Sequence, residues 1–269
     1  MNKNLFHYEI RRNLMSLILW TGIITVLITV TMMAFPTFYQ NQSKVMGMMS
    51  LVPKSALQFK GISNINDLRS VLGFYGMNNI IYMMVLGSIF SIVLSSNILL
   101  KEEYNKTAEY LLTRPITRQE IFNSKLSVVV LSIFLLNLVT ALAGLISMEL
   151  FKKEPFNVSA FFILSVYTFL LNLLFGAIGL FLSTLIKRGK PITTFSIGLV
   201  LIFYFIYTIS KISVSFDKLG YLSPFKFVNT EVVKTGYSFE IVNVVYFIGL
   251  IILLTGMSYR LYIRKDIYV

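Results

Sequence analysis

Residues able to carry out bond chemistry are few in this chain and far apart. There is a single histidine, His7, and no cysteine, and the three aspartates are Asp67, Asp217 and Asp266. An intramembrane protease would need paired aspartates, a Ser and His couple or a His and Glu metal site in or near its spans, and these aspartates all lie outside the long apolar runs. The stretch RGKPIT offers Gly189 and Lys190 but has neither the earlier glycine nor the Ser or Thr after the lysine that a phosphate-binding loop requires. No catalytic, cofactor-binding or metal-binding residue is therefore expected. Charge gathers instead at residues 102–125, EEYNKTAEYLLTRPITRQEIFNSK, which holds four of the twelve acids and four of the 24 Lys and Arg.

Local rules give that segment a shape. Pro115 disfavours helical backbone at Arg114, so the helical character of NKTAEYLLT ends there. Thr117 and Glu120 stand at capping-box spacing, with the Thr side chain accepting from the amide three residues on and the Glu reaching back. A new helix is therefore expected near Arg118. The segment reads as a short helix, a proline-centred break and a fresh helix start, with Leu111, Leu112 and Ile116 as an apolar tip within a charged surround.

The elements that hold this corner are set by composition. With 56% hydrophobic residues, 13% charged residues and a mean hydropathy of +0.74, the chain suits lipid better than water. A hydrocarbon core about 30 Å thick takes roughly 20 apolar residues in a helix. Six runs have that length, at 14–35, 80–100, 126–148, 159–186, 192–210 and 241–259, and none contains Asp, Glu, Lys, Arg or His. Lipid leaves no partner for an open backbone, so runs this long read as helices and not as barrel strands. The first run is too long for a cleaved signal core and is expected to be a true span.

Positive charge sets the orientation. If both termini and the connections after the second and fourth runs share one side, that side carries 14 of the 24 Lys and Arg, among them Arg11, Arg12, Arg114, Arg118, Lys187 and Arg260. It is assigned to the cytoplasm, where a net charge of +12 favours anionic lipids. No interleaving of basic and aromatic residues argues for nucleic acid. Residues 1–13 read as a cytoplasmic amphipathic lead-in, with Phe6, Ile10, Asn13 and Leu17 at helical spacing, or as a plain basic flank. Residues 36–79 form the first external loop, holding short helices, one beginning near Asp67 with Asn66 as its cap. KRGKP is a tight cytoplasmic turn whose proline suits the start of the fifth helix. Asn97, Asn137 and Asn172 are read as helix-packing residues. The aromatic run FYFIYT at 203–208 is read as packing, ahead of cargo binding.

Ionisable residues inside a membrane persist for function, and the six cores have none, which disfavours a proton-coupled carrier. Any energised work must then draw on a partner.

The pattern E-x-x-x-T-x-E-x-L-L-x-x-P-x-x-R at 103–118, followed by Ile121 and Lys125, resembles the cytoplasmic signature of ABC-2 type transporter permeases. Six spans, the first external loop LVPKSALQFKGISNINDL and the later YLSPFKF are similar to bacterial permeases of that kind. The resemblance implies an all-α integral membrane protein with six transmembrane helices, both termini cytoplasmic, and a type V exporter-like permease fold spanning residues 1–269 as one domain. It implies no enzymatic activity and no bound cofactor, with ATP and Mg on a separate cytoplasmic ATPase subunit. It also implies pairing with a second permease, as homodimer or heterodimer, and a place in the bacterial plasma membrane. Residues 101–125 would be the coupling segment, with Glu103, Thr107, Glu109, Leu111, Leu112, Pro115 and Arg118 docking the ATPase. The function implied is export of a peptide, an antibiotic or another hydrophobic compound. The alternative is a membrane sensor or immunity component that engages an ATPase without moving solute.

Overall fold

Long apolar runs that must satisfy their own backbone hydrogen bonds become helices, and in the computed structural model every regular element among the described residues is helical. Those residues are 2–53, 57, 65–104, 116–186, 192–212 and 214–264. The KRGKP turn lies outside them, as do residues 105–115.

Six helices are long and apolar enough to cross a membrane. The first is Lys3–Met33, extended by the short Phe35–Gln40. The second span covers Val71–Leu100, and the third to sixth are Arg118–Phe151, Val158–Leu185, Ile192–Ile212 and Ile241–Arg264. The second and fourth form the central pair and are the most buried, while the first packs along the third. Outward apolar side chains such as Val26 and Val30 of the first helix and Val245 and Ile252 of the sixth are exposed, as a lipid-facing surface requires.

Close approach at the centre depends on small residues. An added Cβ at Gly179 of the fourth helix would come 2.6 Å from the Ile92 carbonyl oxygen of the second. Gly176 faces the Ile133 side chain and Gly144 faces the Tyr75 ring, so these glycines serve contacts within the chain. A buried polar string crosses the same region: Ser88 Oγ donates to Asn172 Oδ1 at 3.2 Å, and Asn172 Nδ2 donates to Asn137 Oδ1 at 3.2 Å. Asn97 Nδ2 donates to Thr193 Oγ1 of the fifth helix at 3.1 Å. All three asparagines thus tie helices together, as the sequence reading anticipated.

The second span begins earlier than its hydropathy indicates. Helix runs from Val71 to Asn79, continues as a π-helical stretch at Ile80–Leu86 and resumes as α-helix from Gly87 to Tyr104. Asn78 and Asn79, expected as the last residues of the external loop, lie within this helical run: Asn78 Nδ2 donates to the Phe74 carbonyl at 2.8 Å and Asn79 Nδ2 to the Tyr75 hydroxyl at 3.1 Å. No α-helix starts at Asp67 under an Asn66 cap. Residues Ile65–Arg69 form a 3-10 turn, and Ser70 Oγ accepts from Gly73 N at 3.0 Å to start the α-helix at Val71.

The segment before the sixth helix folds back onto the bundle as two 3-10 helices, Val214–Leu222 and Pro224–Phe227. Ser223 Oγ donates to the Phe203 carbonyl at 2.7 Å. Fully buried Phe225 packs against Phe175, Tyr204 and Tyr207. The aromatic run of the fifth helix is therefore largely packing, with Phe205 left exposed.

Candidate functional site

Residues 101–125 enter and leave the bundle at one end, and the helix ends there are bound to each other. The second helix ends at Tyr104, which places Glu103 in its last turn. Thr107, Glu109, Leu111, Leu112 and Pro115 lie outside the described residues. The expected break at Pro115 lies there too.

The third helix starts as the sequence requires. Thr117 has extended backbone, its Oγ1 accepts from Glu120 N at 3.2 Å, and Glu120 Oε2 accepts from Thr117 N at 3.0 Å. Both halves of the capping box are present. Thr117→Ala is expected to cost this start about 1 kcal/mol, seen as roughly fivefold faster amide exchange over residues 118–121 with the rest of the helix unchanged.

Arg118, expected on the docking surface, also reaches sideways: its guanidinium donates to the Ile263 carbonyl at 3.2 Å, near the end of the sixth helix. Ile116, expected at an outward tip, packs inward on an apolar cluster of Leu5, Ile98, Ile121, Phe122 and Tyr262. Phe122 meets the rings of Tyr259 and Tyr262 at 5.4 and 5.7 Å. The cluster joins the first, second, third, fourth and sixth helices and is distinct from the main core.

Residues 3–13, expected as a lead-in, are the opening turns of the same helix that continues to Met33. Asn2 caps it by accepting from Asn4 N and Leu5 N at 3.0 and 3.2 Å. Asn2 N donates to Ser124 Oγ of the third helix at 2.9 Å. Two turns further on, Glu9 and Lys125 form an ion pair at 3.0 Å with both side chains fully buried. The Lys125 ammonium also donates to the Ile98 carbonyl of the second helix. Asn13 Nδ2 donates to the Glu9 carbonyl at 2.8 Å.

Sequence reasoning missed Glu9 and placed Lys125 as a cytoplasmic positive charge and as the residue closing the signature, with no partner for it. A signal was available. Glu9 is the only acid before Asp67, and Lys125 falls in the apolar stripe of Ile121, Phe122, Val128 and Val129. A lone acid in a basic flank and a lone base in an apolar stripe are each costly to bury alone, and pairing removes most of that cost.

Beside the pair lies a cavity of about 230 Å³ between the first and second helices, lined by Asn13, Ser16 and Trp20 on one side and Phe90, Asn97 and Ile98 on the other. It has aromatic walls and neutral hydrogen-bonding groups, a lining that suits an uncharged or weakly polar molecule. Two of its lining residues, Asn13 and Ile98, are bonded directly to Glu9 and Lys125.

Among known families, residues 3–267 match the model described as ABC-2 family transporter protein. No curated protein matches the chain.

Proposed function

The chain belongs to the ABC-2 family of transporter proteins, and on that premise we propose that it exports its substrate from a bacterial cell with energy supplied by a separate ATPase docked on residues 103–118. It is a multi-pass membrane protein and a membrane permease subunit of an ABC transporter. Members of the family are in general the non-catalytic membrane component and pair with an ATPase subunit.

One observation carries the docking reading: the helix ends on both sides of the segment are joined to the first and sixth helices through Lys125, Arg118 and the apolar cluster around Phe122. A corner whose flanks are attached to five helices at once can pass force to the whole bundle. Leu111 and Leu112 would desolvate in a cleft of the ATPase while Glu103, Glu109 and Arg118 set register at its rim, with Thr107 and Pro115 fixing the shape of the corner. ATP and Mg would sit on that subunit. A second permease copy would complete the pathway. Gly22 of the first helix and Gly198 of the fifth, which meet no atom within 4 Å, offer small-residue faces for it. The end carrying the segment is the cytoplasmic one in this reading, facing anionic lipid with its basic flanks.

The cavity beside the ion pair supports a cargo of apolar, weakly polar character, such as a hydrophobic peptide or antibiotic. Glu109→Ala combined with Arg118→Ala is expected to weaken recovery of the ATPase subunit by about tenfold or more and to abolish ATP-dependent export in proportion. Unchanged recovery and export would refute the docking assignment. ATP turnover in vesicles with no solute accumulated would favour a sensor instead.

A further inference from the structure

We propose that Lys125, held by Glu9 and the Ile98 carbonyl, is the joint that passes movement of the coupling segment into the first helix, so that Glu9 and Lys125 are positioning residues for energy coupling. The inference rests on the reading of residues 103–118 as the ATPase dock.

Stability alone does not account for such a pair. Taking two charges out of water costs more than their attraction commonly returns, and apolar side chains of similar volume often hold a core as well or better. Both side chains here have 0% exposure. Their placement supplies a reason. Ile98 lies near the end of the second helix, just before the segment, and Lys125 lies two turns past the Thr117 cap, just after it. One ammonium therefore fixes the entry and the exit of the segment to each other and to the start of the first helix, which lies about 90 residues or more from both along the chain.

The first helix is held at two points, Asn2 to Ser124 and Glu9 to Lys125. The points are seven residues apart on the first helix, about 10 Å of rise, and are made by adjacent residues of the third. Two attachments that far apart on the first helix, both made from one turn of the third, hold the first helix in angle as well as position, so movement at the start of the third helix is passed to the first. An apolar contact could slide; a charge-assisted hydrogen bond with a third partner keeps its register. Asn13 and Ile98 then carry the same displacement into the walls of the neighbouring cavity.

The absence of cysteine allows a direct test. Spin labels placed at Met33→Cys and Ile241→Cys, both exposed, report the first helix against the sixth at the end of the bundle opposite the joint. The complex with its ATPase subunit in lipid nanodiscs is compared with and without ATP and vanadate. In the otherwise unaltered chain ATP should shift the distance between the labels. In Glu9→Gln combined with Lys125→Met, the ATPase should still co-purify and turn over ATP, while the shifted population falls by about fivefold or more. A shift equal to that of the unaltered chain overturns the proposal, and so does loss of ATPase binding, which would make the pair part of the dock. Absence of any shift in the unaltered chain overturns it as well. If the double variant does not fold, Glu9→Asp decides, since it keeps both charges but draws the carboxylate back: assembly should be normal and the shift reduced, and an undiminished shift refutes the joint. Failure of the docking reading is seen separately, as ATPase recovery insensitive to Glu109 and Arg118.

Discussion

Lys125→Met, made alone, is expected to lower the unfolding free energy of the chain by about 3–5 kcal/mol. The reason is the partner left behind. Glu9 is fully buried, its Oε1 accepts from Lys125 at 3.0 Å, and the next donor, Asn13 Nδ2, stands 3.5 Å from Oε2. Removing the ammonium leaves a fully buried carboxylate without its ion-pair partner. The Ile98 carbonyl loses its donor as well. Glu9→Gln together with Lys125→Met should recover most of the loss, because neither member of the ion pair then carries a charge. Thermal unfolding of Lys125→Met, Glu9→Gln and the double variant in one detergent measures the cycle. A single variant that melts with the unaltered protein would mean the carboxylate reaches water.

Gly179→Ala is expected to destabilise the central helix pair by about 1–3 kcal/mol, and Gly179→Leu by more. Two effects oppose each other. Replacing a helical glycine by alanine gains up to about 1 kcal/mol of propensity. Against it, the new methyl would stand 2.6 Å from the Ile92 carbonyl oxygen and 3.1 Å from Ser96 N, both backbone atoms that cannot rotate away. The second and fourth helices must separate, and the core packed on them separates too. Overpacking therefore wins at Gly179. Gly198→Ala is the control: its added methyl meets nothing within 4 Å, so it should leave the melting temperature of the isolated chain unchanged or slightly raised. Equal melting of the Gly179→Ala variant and the unaltered chain would show that the two helices do not pack this closely.

Much of this architecture was legible from the chain itself. Runs near 20 apolar residues have one stable form in lipid, so the six spans follow from length and hydropathy, and the last three begin within one residue of their expected positions. The capping box at Thr117 and Glu120 was legible too, since its atoms belong to residues three apart. Where the reading fell short, polar residues had found partners in other turns or other helices. Asn78 and Asn79 continue the second helix because Phe74 and Tyr75 receive their amides. Ile116 points inward because the first and sixth helices bring an apolar cluster to it.

What the sequence determined by itself was therefore whatever depends on neighbours along the chain: the number of long apolar helices and the capped start of the third. What only tertiary structure decided was which charges are buried and what they hold. Glu9 and Lys125 are 116 residues apart, and each alone looks like an ordinary flanking charge. Their meaning arises when the first and third helices pack side by side and the end of the second closes over them. Burial removes the water that would otherwise screen the pair, and a screened surface charge becomes a fixed connection among three helices.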